Sequence, residues 1–215
     1  MNNDFTNLSD QCHQVLEACH KAREQALSQS RLLTRRAANA IRAVHRQEYE
    51  LAEELIGEAR AYSDSLRSEL KPYPELYYSG YAQDSIKEYV EARLTYDFIK
   101  GNDIPNPKEL GVEVSTYLRG LAETVGELRR KCMDILRQGY SQEAENLLNL
   151  MDEIYALLVT IDYPDAVTHG LRRQTDLARG IIERTRADLT LSMREERLQK
   201  AIIELKTKLD ENGAG

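Results

Sequence analysis

Apolar positions recur at helical intervals along almost the whole chain. Leu33, Ala37, Ala40, Ile41 and Val44 are spaced to share one face of a helix. No segment shows the strict alternation that a half-buried strand requires. Breakers divide the helical pattern. Pro72 and Pro74 end a long first region, and Gly80 precedes a new one. The stretch from Gly101 to Pro107, GNDIPNP, reads as a loop, because each proline lacks a donor and disfavours helix at the residue before it. Gly139-Tyr140-Ser141 supplies a C′ glycine and then a serine N-cap. In the turn Asp162-Tyr163-Pro164-Asp165, Pro164 suits a helix first turn. The pattern predicts helices at about 5–45, 47–71, 81–100, 108–138, 141–161 and 165–210, the last interrupted near Gly170. Long helices with short turns predict an all-α fold, an antiparallel bundle of about six to seven long helices. A single domain over 1–211 and a disordered tail at 212–215 complete the expected organisation.

Two features of the pattern ask for more than packing. On the first helix, Arg31, Arg35, Arg42 and Arg46 fall in a stripe about 60° wide, opposite the Leu33 face, with His45 at its edge. Guanidinium groups in a row can grip successive phosphates. Near the C-terminus, Leu191, Leu198, Ile202, Leu205 and Leu209 form a heptad seam. Such a seam either packs within the monomer or joins subunits.

Composition narrows the class. A chain of 215 residues can bury a real helical core. No run is long and apolar enough for a membrane span, and the polar segment Met1 to Asp10 lacks a signal-peptide pattern. Cys12, Cys19 and Cys132 cannot all pair within one chain, which favours a reducing cytoplasm. The net charge of −7 argues against a protein that coats nucleic acid nonspecifically. The distribution is more telling. Lys21 to Arg46 holds seven basic residues and one acid, whereas Gln47 to Leu70 holds seven acids and two arginines. Either two neighbouring helices pair their charges, or the basic face is kept for phosphate.

The carboxylates offer the candidate chemistry. Glu88 and Glu91 are three apart on the third helix, with Asp84 one turn earlier, and Glu123 and Glu127 are four apart on the fourth. Each pair shares a helix face. Two such pairs brought together would repel unless cations lay between them. Magnesium and manganese prefer hard oxygen ligands and need no histidine. Gly126, beside Glu127, leaves room for a helix or a substrate to approach. In a chain with 36 acids, such spacings also arise on solvated surfaces, as at Glu50, Glu53 and Glu54. A zinc site at Cys12-His13 and Cys19-His20 is disfavoured, since one straight helix spreads these residues over about 10 Å. His169 reads as a cap or surface residue. No ExxH motif accompanies the glutamates, and neither GxxxxGK[ST] nor GxSxG is present.

The words around the glutamates carry a resemblance. Ile86-Lys87-Glu88-Tyr89-Val90-Glu91-Ala92, followed by Phe98-Ile99-Lys100, resembles the QEYVEA…FIK signature of translin-associated factor X. Leu121-Ala122-Glu123-Thr124-Val125-Gly126-Glu127-Leu128 resembles its ADLTGEL segment, and Ile41-Arg42-Ala43-Val44-His45-Arg46 looks like the end of its first long helix. Order and context match from about residue 20 to 190, so the chain looks like a compact, archaeal-type member of the translin/translin-associated factor X family.

The resemblance implies a translin-like α-helical subunit, a hollow homo-octamer and magnesium-dependent endoribonuclease activity, mainly on single-stranded RNA. It also implies that the acidic catalytic and metal-binding residues are Glu88, Glu91, Glu123 and Glu127. At the third position the family pattern has Asp where this chain has Glu123, so the carboxylate is kept with a longer reach. Translin's Arg/His cluster after paired tyrosines is absent, because Tyr77-Tyr78 is followed here by Ser79-Gly80-Tyr81-Ala82-Gln83.

The expected activity is therefore Mg2+-dependent (or Mn2+-dependent) cleavage of RNA phosphodiesters. Arg31, Arg35, Arg42, His45 and Arg46 would hold the RNA, single-stranded or duplex, by its phosphates. Tyr81 and Tyr89 are candidates for stacking on bases. Two other classes remain open: a non-catalytic translin-like scaffold for RNA or single-stranded DNA, and an all-α nucleoside triphosphate pyrophosphohydrolase. Cleavage assays on RNA and on free nucleotides separate them.

Overall fold

The computed structural model describes the backbone of residues 2–213 and the side chains of 5–210. The tail expected to be disordered, 212–215, lies outside the described side chains. Among the described residues every regular element is a helix. Six are long: α1 (Asn2–His45), α2 (Tyr49–Glu69), α4 (Gly80–Lys100), α6 (Val114–Leu136), α7 (Gln142–Val159) and α9 (Leu171–Gly213). Three are single turns: α3 (Pro74–Tyr77), α5 (Pro107–Leu110) and α8 (Asp165–Thr168). The chain forms two compact units, Met1–Gly120 and Leu121–Gly215.

In the first unit α1 packs on α2 and α4, and α2 packs on α4. The predicted apolar face of α1 is the buried one: Leu33, Ala37, Ala40 and Val44 are essentially inaccessible. Their alanines let the facing helices come close. Gln47, at φ 63°, turns the chain sharply between α1 and α2. Helix α4 ends on Gly101, whose φ of 72° suits a residue without a side chain. The fully buried Asp97 sits in this last turn. Its carboxylate accepts from Arg93 Nε (2.6 Å) and Nη2 (2.8 Å) and from Asn102 Nδ2 (3.0 Å). A charge so far from water is tolerated because all these donors converge on it. A buried relay ties α3, α4 and α6: Thr116 Oγ1 donates to Gln83 Oε1 (2.6 Å), and Gln83 Nε2 donates to the Tyr77 carbonyl (2.9 Å).

The long helix expected from about residue 108 is in fact two. The word NPKELG encodes a helix of its own: Asn106 caps it in a capping box with Glu109, Pro107 begins it, and Gly111 ends it at φ 68°. Arg67 donates to the Gly111 carbonyl at 2.8 Å, and its guanidinium occupies the space a side chain at Gly111 would need. Similarly, Pro74 does not merely end a helix but starts the one-turn α3.

In the second unit α7 and α8 pack on α9. Ser141 caps α7 as expected, accepting from the Ala144 amide. The interruption near Gly170 is present: His169 (φ 50°) and Gly170 (φ 88°) separate α8 from α9, and Asp165 accepts from the Gly170 amide at 2.7 Å. His169 is the exposed C-cap of α8. Cys132 is fully buried against the Ala144 carbonyl, and burial pushes its thiol pKa up to about 11. Among the described residues nothing covers the heptad seam. Leu191, Leu198, Ile202, Leu205 and Leu209 all remain about 60% exposed.

Candidate functional site

The acidic pair of α4 follows from its register. Ile86, Tyr89 and Val90 are buried, which turns Glu88 and Glu91 toward the half-exposed border of the helix. Lys87 Nζ lies 3.1 Å from Glu88 Oε1. Asp84, the acid one turn earlier, is diverted: it is exposed and pairs with Arg119 Nη1 at 2.9 Å. The acids of α6 are placed by the same logic. Val125 and Leu128 are inaccessible, and Glu123 and Glu127 stand half-buried beside them. Glu123 Oε1 accepts from Gln174 Nε2 of α9 at 2.8 Å, and Glu127 Oε2 lies 3.6 Å from Arg130. Such neighbours orient a carboxylate. Glu88, Glu91 and Glu123 each offer a carboxylate oxygen suited to a metal ion.

A groove of about 400 Å³ runs between α1 and α4 within the first unit. Ser30, Arg31 and Thr34 line it from α1, and Tyr81, Asp84 and Glu88 from α4. A member of the basic stripe and a member of the acidic pair therefore share one cavity. Spacing within either helix gave no sign of this; Ser30 falls on the core face of α1 and Thr34 at the edge of that face.

The charge run on α1 divides in two. Arg36, outside the stripe, bridges to Glu58 of α2 at 2.6 Å. Arg31, Arg35, Arg42 and Arg46 are exposed, and among the described residues none forms an ion pair; Arg42 donates to Asn39 on its own helix. His45 is half-buried at the stripe's edge. The expectation that both tyrosines could stack on bases is corrected for Tyr89. It is 1% exposed in the core, so no base can reach its ring. Tyr81 is half-buried and faces the groove. Among the described residues no atom lies within 4 Å of where a Cβ at Gly126 would stand, so no helix abuts it and the space there is open. The point of helix contact is instead Gly120, where a Cβ would lie 2.7 Å from Val90 Cγ1 and 3.1 Å from the Lys87 carbonyl. Among the described residues the cysteines and histidines of α1 make no metal-binding group, and no helix is long and apolar enough to cross a membrane.

Known proteins resemble this chain along most of its length. An uncharacterized protein of Methanocaldococcus jannaschii, MJ0175, is 32% identical over 181 residues, spanning 83% of this chain and 79% of its own. The solved structure of an AfC3PO–duplex RNA complex superposes with a TM-score of 0.79 at 31% identity, covering 86% of this chain and 96% of that one. That of apo-NeC3PO gives 0.78 at 26% identity, covering 85% and 96%. The Translin family model matches residues 1–185, the stretch that carries both acidic pairs and the arginine stripe. The chain belongs to the Translin family.

Proposed function

We propose that this chain is a cytoplasmic, metal-dependent endoribonuclease acting mainly on single-stranded RNA, with duplex RNA as a second substrate. The observation that carries the reading is the α1–α4 groove, in which a candidate metal ligand, Glu88, and a candidate phosphate-binding cation, Arg31, line one cavity. The AfC3PO structure with duplex RNA adds support, as a neighbour of 31% identity. In this reading Glu88, Glu91, Glu123 and Glu127 hold one or two magnesium or manganese ions. Their all-carboxylate donor set fits these hard cations. A bound divalent ion supplies an activated water and charge stabilisation at the phosphoryl oxygens. The chain's own residues do the rest. Gln174 and Arg130 hold Glu123 and Glu127 in orientation. Arg31, Arg35, Arg42, His45 and Arg46 draw the strand in by its phosphates, largely without sequence choice. Assembly into a homo-octamer, with the sites facing an interior cavity, would reconcile the acidic net charge with RNA held inside.

The test uses the purified full chain with single-stranded RNA, duplex RNA and free nucleotides, in magnesium or in chelator. Glu91→Ala and Glu127→Ala should each abolish metal-dependent RNA cleavage and leave assembly intact. Undiminished cleavage by either variant, or activity on free nucleotides alone, refutes the assignment. Arg35→Glu with Arg42→Glu should weaken RNA binding and flatten its salt dependence.

A further inference from the structure

Beyond its three charged residues, Arg31, Asp84 and Glu88, the α1–α4 groove contains hydroxyls whose hydrogen bonds are unaccounted for. Ser30 is 5% exposed, and its Oγ is enclosed and has no hydrogen-bond partner among the described residues. Tyr81 Oη is likewise enclosed and unpartnered. A buried hydroxyl without a partner is costly, and native proteins seldom keep one without a use. Both belong to residues that line the groove holding Arg31 and Glu88. The groove's volume, about 400 Å³, lies within the range of sites that hold small molecules.

The chemistry of the walls describes the ligand. Arg31 at the edge suits a phosphate. Two hydroxyls, each able to donate and accept, suit a neutral group that also does both. A ribose 2′-hydroxyl is such a group, and it is the feature by which a protein tells RNA from DNA. We propose, on the basis of the endoribonuclease reading above, that this groove seats the ribose of a nucleotide adjoining the scissile phosphate. Ser30 Oγ and Tyr81 Oη exchange hydrogen bonds with its 2′-hydroxyl, while Arg31 holds the neighbouring phosphate. Both oxygens are enclosed, so the side chains around them must shift for a ligand to reach them. Because neither hydroxyl gives up an existing partner, the bonds formed there are largely a net gain.

The experiment measures binding of a labelled single-stranded RNA, its DNA counterpart and its 2′-O-methyl form, in chelator so that no strand is cut. The full-length wild type is compared with Ser30→Ala and Tyr81→Phe. Each variant should lose about three- to tenfold in RNA affinity, the range for one neutral hydrogen bond, with DNA affinity unchanged. Neither should melt lower than wild type, because each removes a hydroxyl that the free protein leaves unpaired. A purely structural role predicts instead a lower melting temperature and parallel losses for RNA and DNA. If the wild type binds and cuts RNA but the variants keep its RNA-to-DNA ratio, this inference fails and the nuclease reading stands. If the wild type neither binds nor cuts RNA, both fail.

Discussion

Replacing Gly120 by alanine tests how closely the start of α6, within the first unit, is packed onto α4. A methyl group at this position would lie 2.7 and 2.8 Å from Val90 Cγ1 and Cβ and 3.1 Å from the Lys87 carbonyl. None of these is the free end of a flexible chain. Val90 is branched at Cβ and fully buried, and the carbonyl is part of the α4 backbone. Forcing a methyl into such a contact costs about 1–3 kcal/mol. Alanine also gains about 1 kcal/mol over glycine in a helix interior, which hides part of the loss. Gly126, on the same helix, provides the correction, since a Cβ there meets nothing within 4 Å. The propensity gain cancels between Gly120→Ala and Gly126→Ala, so the gap between them isolates the overpacking, about 1–3 kcal/mol. Urea denaturation of both variants and wild type measures it, with Gly126→Ala expected at a higher midpoint than wild type and Gly120→Ala below Gly126→Ala. Val90→Ala combined with Gly120→Ala should close most of the gap. Equal midpoints for the two glycine variants would refute the close approach of α6 to Val90.

Arg93→Ala should destabilise by about 3 kcal/mol, because it strips the fully buried Asp97 of its bidentate partner. Adding Asp97→Asn should recover much of that loss in the same denaturation assay, whereas a loss below about 1 kcal/mol for Arg93→Ala would make the pair no better than a surface one. Thiol labelling at pH 8 should modify the exposed Cys12 rapidly and Cys132 only on unfolding. Burial raises the Cys132 pKa to about 11 from an ordinary 9.0, so its contribution to stability is complete below pH 9 and is lost as pH rises through 11. That contribution is roughly 2–3 kcal/mol, and Cys132→Ala should flatten the alkaline limb of the stability profile by about this amount.

The sequence by itself determined most of what is local. Periodicity located the six long helices, and cap and breaker residues such as Ser141 and Gly170 placed their ends, because these signals act within a few residues of the backbone they control. It also marked the glutamates and the arginine stripe, since helical spacing alone says which side chains share a face. The NPKELG turn was equally legible, but the periodicity on either side of it masked the break at Gly111. What lies opposite a face is another matter, and only the tertiary structure decided it. Tyr81 and Tyr89 look alike in sequence, yet one borders a groove and the other is core. Asp84 resembles its acidic neighbours until Arg119 claims it. Gly126 looked like the place for close approach, and Gly120 is the place, because a glycine's role depends on what stands across from it. The joining of Arg31 and Glu88 in one cavity is of the same kind. Packing two helices together sets residues more than fifty positions apart on a common wall, and no periodicity within either helix records the partner's register.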